Sequence, residues 1–127
     1  VVQTNVENKT RKTTIAHFMP WGGIGGVEIA TVRMTAAMSE QFRHVAFCLS
    51  EAYDLRTMFE QQGVEILSFD PPEPSLRHGL TFYQQSLKVV EKLKACGANI
   101  IHFSDEKAAY HNSLAGILAH LPTICHL

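Results

Sequence analysis

The sequence predicts a doubly wound, Rossmann-like α/β domain, with about five parallel strands and helices on both faces of the sheet. Three observations predict it. Short apolar runs alternate with longer amphipathic ones along the 127-residue chain. The short runs are apolar nearly throughout rather than at every second position, as strands covered on both faces require. Gly63 and Gly97 stand where two periodic stretches stop, which suits left-handed helix ends.

Each element follows in order. Residues 1–12, VVQTNVENKTRK, read as a mobile polar leader, and the domain is expected over 13–127. TTIAHFM (13–19) is the first strand, ended by Pro20. A glycine-rich stretch, MPWGGIGGVE (19–28), leads into the helical pattern VEIATVRMTAAMSE (27–40), whose apolar stripe is Val27, Ala30, Met34, Ala37 and Met38. HVAFCLS (44–50) is a second strand, AYDLRTMFEQQG (52–63) a helix and VEILSFD (64–70) a third strand. PPEPSLRHG (71–79) holds three prolines and is a surface loop. In TFYQQSLKVVEKLKAC (81–96) apolar residues recur at 82, 89 and 93, with 83, 87 and 90 beside them, while Lys88, Glu91, Lys92 and Lys94 turn away. NIIHFS (99–104), KAAYHNSLAGILAHL (107–121) and TICHL (123–127) complete the alternation. Right-handed crossovers favour the strand order 3-2-1-4-5. The chain then reverses direction between strands one and four, and loops 20–28 and 104–107 flank the binding crevice.

Composition removes several function classes. With a net charge of −1 and 18% charged residues, the chain has no basic field for nucleic acid. No apolar run reaches the length of a membrane span, and the leader has no signal-like segment. Cys48, Cys96 and Cys125 share no C-x-x-C spacing and lie in apolar contexts, so they read as small core residues of a reducing, cytoplasmic compartment. The seven histidines form no metal-ligand spacing, and no metal is expected. His17, His44 and His102 adjoin apolar strand residues and read as structural; His111 and His120 lie on a helix without a partner at i+4, and His78 is in the proline loop.

The junction of strand, glycines and helix makes an anion site, because bare backbone N–H groups and the helix dipole both favour phosphate. The dinucleotide pattern G-x-G-x-x-G fails at its last position, where Glu28 follows Gly23-Ile24-Gly25. Glu51 could still stand for the ribose-binding acid, so an NAD-dependent oxidoreductase domain stays open. A phosphate loop ending in G-K-[ST] is absent. The glycines could also simply make a tight turn. Glu28 is either a dipole-stabilising carboxylate or an acceptor aimed at sugar hydroxyls in the crevice.

The strand, Pro20 and GGVE (25–28) opening the first helix resemble the N-terminal half of family 4 glycosyltransferases, retaining enzymes of the two-domain GT-B fold. NIIHFS is similar to the family's D-hydrophobic-hydrophobic-H-x-H strand: Asn99 replaces the Asp, His102 matches and Ser104 replaces the second His. AGILAHLPTICHL resembles the segment in which helix, Pro and strand lead to a His. The resemblance spans about residues 13–127. It implies an acceptor-side domain and a separate C-terminal donor domain that this chain does not contain. The amides of Gly25 and Gly26 would approach the diphosphate of a UDP- or GDP-sugar donor, and His126 would face the donor sugar as the catalytic residue. No other cofactor and no metal is implied. Trp21 is a candidate for stacking on an acceptor sugar, and Asp105 for orienting an acceptor hydroxyl; plugging of the sheet end and helix capping are the plainer roles. The acceptor would be a glycan, a lipid-linked group or a small molecule, with peripheral membrane association of the complete enzyme. On this basis the fragment alone is inactive. The alternative is a non-catalytic Rossmann-like module that binds a sugar, a nucleotide or a protein.

Overall fold

A computed structural model describes residues 12–126. The leader expected at 1–12 therefore lies outside the described residues, apart from Lys12, as does Leu127. The elements are β1 (Thr13–Met19), α1 (Gly26–Ala37), β2 (Phe42–Cys48), α2 (Tyr53–Gln61), β3 (Glu65–Ser68), α3 (Gly79–Ala95), β4 (Ile100–Phe103), α4 (Glu106–Leu118) and β5 (Thr123–Cys125). All strand pairs are parallel and the order is β3-β2-β1-β4-β5, as the sequence predicts.

Strand alternation divides the core in two. One side of the inner strands, including Phe18, Phe47, Ile101 and Phe103, packs on Val89, Val90 and Leu93 of α3 and on Ala108 and Ala115 of α4. The other side, including Met19, Ala46 and Cys48, packs on Val32 of α1 and on Leu55 and Phe59 of α2. Phe18 lies at the centre of the first side, stacked on Phe47 at 4.6 Å between centroids with Phe69 and Phe103 edge-on. Gly116 lets α4 sit close to the sheet, since a Cβ there would come within 3.1 Å of Thr123 and 3.4 Å of Ile101.

Three helices end alike. After α2 and α3 the glycines Gly63 and Gly97 take positive φ, +73° and +71°, as their positions in the sequence suggest. Paired backbone bonds close each turn: Val64 N donates to Phe59 O, and Ala98 N to Leu93 O. After α4 the same turn forms with His120 at φ 56°, and Leu121 N donates to Gly116 O. His120 therefore lies beyond α4 rather than on it.

Three expectations need correction. The stripe Val27, Ala30, Met34, Ala37 and Met38 does not face the core; α1 buries Glu28, Thr31, Val32 and Thr35 instead. Thr31 and Thr35 tolerate burial because their hydroxyls donate to Val27 O and Val32 O of the same helix, at 2.9 and 2.7 Å. In α3, Tyr83 and Leu87 are partly exposed, and Ser86, Val89, Val90 and Leu93 form the buried face. Cys48 and Cys96 are buried, but Cys125 is exposed, because the outer strand β5 is uncovered along its whole length. Burial raises the Cys96 thiol and pushes Cys48 up to about 12, so neither is a ready thiolate.

Candidate functional site

The C-terminal ends of β1 and β4 part at the point where the strand order reverses, and a crevice of about 680 Å³ opens there. Its walls come from Trp21, from Val27 and Met34 of α1, from Asp105 and Lys107 at the start of α4, and from His126 after β5. Most of the misplaced stripe of α1 thus has a location: Val27, Ala30 and Met34 line the crevice. The glycine loop continues the crevice as a shallower hollow that Trp21 and Asp105 also border. A larger hollow of about 880 Å³ lies at the opposite end of the strands. It is bordered by the Arg43–Glu65 ion pair and receives no helix N-terminus or glycine loop, so the crevice is the candidate site.

The glycine loop answers one open alternative. Gly22, Gly23 and Gly26 do not have positive φ, and a Cβ at any of them would meet nothing within 4 Å. The fold itself does not call for glycine at these positions. What their bare backbone permits is close approach from outside the chain. At Gly25 the backbone is extended and its N–H donates to Glu28 Oε2 at 2.8 Å. Glu28 is buried and its carboxylate caps α1, so one of its oxygens is already engaged. The amides of the first turn, from Gly26 on, have no carbonyl partner within the helix.

The opposite lip is held by Asp105. Its Oδ1 accepts from Ala108 N at 2.8 Å, the N-cap bond of α4, and its Oδ2 accepts from Trp21 Nε1–H at 3.3 Å. Lys107 Nζ sits 3.4 Å from the centre of the Trp21 ring, a cation–π contact. Trp21 is nevertheless about half exposed, with relative exposure of 48%. Ser104 ties the strand ends together by donating to Phe18 O at 3.2 Å. Asn99 does so at the other end of β4, where its side-chain oxygen accepts from Thr14 N at 2.9 Å.

Beneath α1 the structure brings together residues that sequence reasoning kept apart. His44 of β2, His17 of β1, His102 of β4 and His126 form a continuous row across the sheet. His17 Nε2 lies 2.8 Å from His44 Nδ1, His17 Nδ1 lies 2.9 Å from His102 Nδ1, and His102 Nε2 lies 3.0 Å from His126 Nδ1. His44 Nε2 reaches Met38 O at 3.3 Å. Burial, then the neighbouring His102 and His44, lowers His17 to about 3; burial, then His126, lowers His102 to about 4. Burial also lowers His44, against the Met38 carbonyl, which raises it. The inner rings are therefore neutral near pH 7. The available signal was parity: alternation puts His17, His44 and His102 on one face once the strand register is known. Among the described residues no cluster of His, Cys, Asp and Glu could hold a metal ion. His111 stands apart from the row and bonds through Nδ1 to Pro72 O at 2.7 Å, anchoring the proline loop on α4.

Neither a family model nor a curated protein sequence matches the chain. Solved structures do. A glycosyltransferase from Rickettsia africae superposes with a TM-score of 0.68 at 14% identity, over 91% of this chain and 29% of that one. Anabaena Alr3699/HepE, in complex with UDP and glucose, gives 0.65 at 20% identity over 91% and 29%. MurG from Acinetobacter baumannii gives 0.62 at 14% identity over 91% and 35%. The fold is that of a GT-B half-domain. The chain spans about a third of the length of these structures. In this half-domain the loops that border the crevice, 20–28 and 104–107, are those the sequence places there. No helix among the described residues is long and apolar enough to cross a membrane.

Proposed function

We propose that the chain is the acceptor-side half of a retaining, nucleotide-sugar-dependent glycosyltransferase of the family 4 type, acting in the cytoplasm. A second α/β domain would grip the nucleotide of a UDP- or GDP-sugar and close over the crevice. The observation that carries this reading is convergence: the first turn of α1, with glycines the fold does not require, and His126 border one crevice system in a GT-B half-domain. The neighbour in complex with UDP and glucose supports a donor of that class.

The chemistry follows from charge. As the glycosidic bond breaks, negative charge develops on the leaving diphosphate. Fixed N–H donors at the head of α1 stabilise that charge more than they stabilise the ground state. Because the Gly25 amide is held by Glu28, the Gly26 end of the turn is the part that meets the diphosphate. His126 bonds to a hydroxyl of the donor sugar and fixes it beside the acceptor, which lies along Trp21 and the apolar wall of α1. Asp105 keeps Trp21 in place rather than binding the acceptor itself.

The test uses the longer protein that joins this half-domain to a donor domain. Gly26→Trp and His126→Ala are each expected to lower turnover of a UDP- or GDP-sugar at least tenfold, about 1.4 kcal/mol. A Cβ at Gly26 would meet nothing within 4 Å, so the backbone there does not itself exclude a side chain, and thermal unfolding checks that the variant is folded. Unchanged turnover in either variant removes that residue from the site. No turnover by the unsubstituted longer protein with either donor class would leave a non-catalytic binding module.

A further inference from the structure

The row of four imidazoles has a fixed number of protons, and counting them determines what its outermost ring presents to the crevice. Met38 O can only accept, so His44 carries its hydrogen on Nε2. Four neutral imidazoles have four N–H hydrogens in all. One lies on Met38 O, and one lies in each of the three ring-to-ring contacts. None remains for His126 Nε2. Traced along the row, His17 Nε2–H donates to His44 Nδ1, His102 Nδ1–H donates to His17 Nδ1, and His126 Nδ1–H donates to His102 Nε2.

We propose that His17, His44 and His102 are positioning residues that hold His126 in its Nδ1–H tautomer, so that a bare Nε2 faces the crevice as an acceptor for a ligand hydroxyl. Only the identity of that ligand, a sugar, rests on the function proposed above. The tautomer follows from the row itself.

The same count governs an added proton. If His44 gains it, the three shared hydrogens reverse in turn, and His126 ends with hydrogen on Nε2. If any other ring gains it, only the contacts between that ring and His126 reverse, with the same end point. One proton anywhere in the row therefore converts His126 from acceptor to donor. Charged neighbours act at both ends: Lys12 beside His44, Asp105, Glu106 and Lys107 around the crevice, and Glu28 buried on the covering helix α1. Burial keeps His17 and His102 themselves neutral near pH 7.

Long-range proton–nitrogen correlation spectra of the ¹⁵N-labelled, ligand-free chain test this directly, because the two ring nitrogens differ in shift when one is protonated. At about pH 8, above the ordinary histidine range, His126 and His102 are expected to carry hydrogen on Nδ1, and His17 and His44 on Nε2. Hydrogen on His126 Nε2 at that pH overturns the proposal. His17→Phe cuts the row in the middle, and the His126 population should then move to a mixture that includes the Nε2–H form. An unchanged His126 tautomer in a folded His17→Phe variant overturns the positioning role. If that variant does not fold, the unsubstituted chain decides alone through its four-ring pattern. These spectra need no donor or turnover, so their failure is separate from failure of the transferase reading.

Discussion

Asp105 uses both of its carboxylate oxygens within the chain, one on the Ala108 amide and one on the Trp21 indole. Replacing it with Ala removes an N-cap, and Asp105→Ala is expected to lower stability by about 1 kcal/mol in urea denaturation. A loss below about 0.3 kcal/mol would show that the cap bond is not formed in solution. In the sequence, Asp105 and Glu28 could equally be ligand-binding carboxylates, because capping and hydroxyl recognition use the same oxygens. Only the direction of those oxygens separates the two roles, and that depends on the backbone of the following turn. His17, His44 and His102 were harder still to read. Each lies in an apolar strand, and their contacts span 27 to 85 residues of chain, so nothing local joins them.

At the scale of the element, the three closing turns allow a controlled comparison. Gly63 and Gly97 adopt the left-handed conformation without steric cost, whereas His120 does so with a Cβ. His120→Gly is therefore expected to stabilise the chain by about 1 kcal/mol, seen as a higher thermal midpoint. An unchanged or lower midpoint would mean that the exposed ring offsets the strain. Both glycine stops could be read from the sequence, because glycine there has a specific backbone reason. The stop at His120 could not, since histidine carries no such signal and the helical pattern runs on. The inward face of α1 was misread for a related cause. An apolar stripe marks the face that avoids water, but on α1 that face borders the crevice, while hydroxyls bonded to their own helix fill the interior.

For the whole molecule, the buried neutral histidines make stability depend on pH. His17 and His102 are held at about 3 and 4, below the ordinary value of 6.5 that they regain on unfolding. The unfolded chain therefore binds more protons than the folded one once the pH falls below 6.5. The stability present above that value is lost as pH falls toward about 4 and then 3. For each ring in that window the loss is about 1.4 kcal/mol per pH unit. Thermal midpoints should thus fall steadily from pH 6.5 to pH 4. A flat profile would show that the row is protonated in the folded state. Strand order and crevice location were legible at this scale because apolar runs and crossover handedness leave few arrangements, whereas the half-domain architecture was implied only by the family resemblance. The register that aligns the histidines was not, since it is set by packing across the whole sheet.

Trp21 is the only tryptophan in the chain, and it stands on the crevice lip between a carboxylate and an ammonium group. Indole emission from this protein therefore arises from one ring, at the lip of the crevice. Any occupant that parts Lys107 from the ring or shields it from water alters that emission. The crevice carries its own optical gauge, and its occupancy can be followed in the unlabelled protein by the colour and intensity of a single fluorophore.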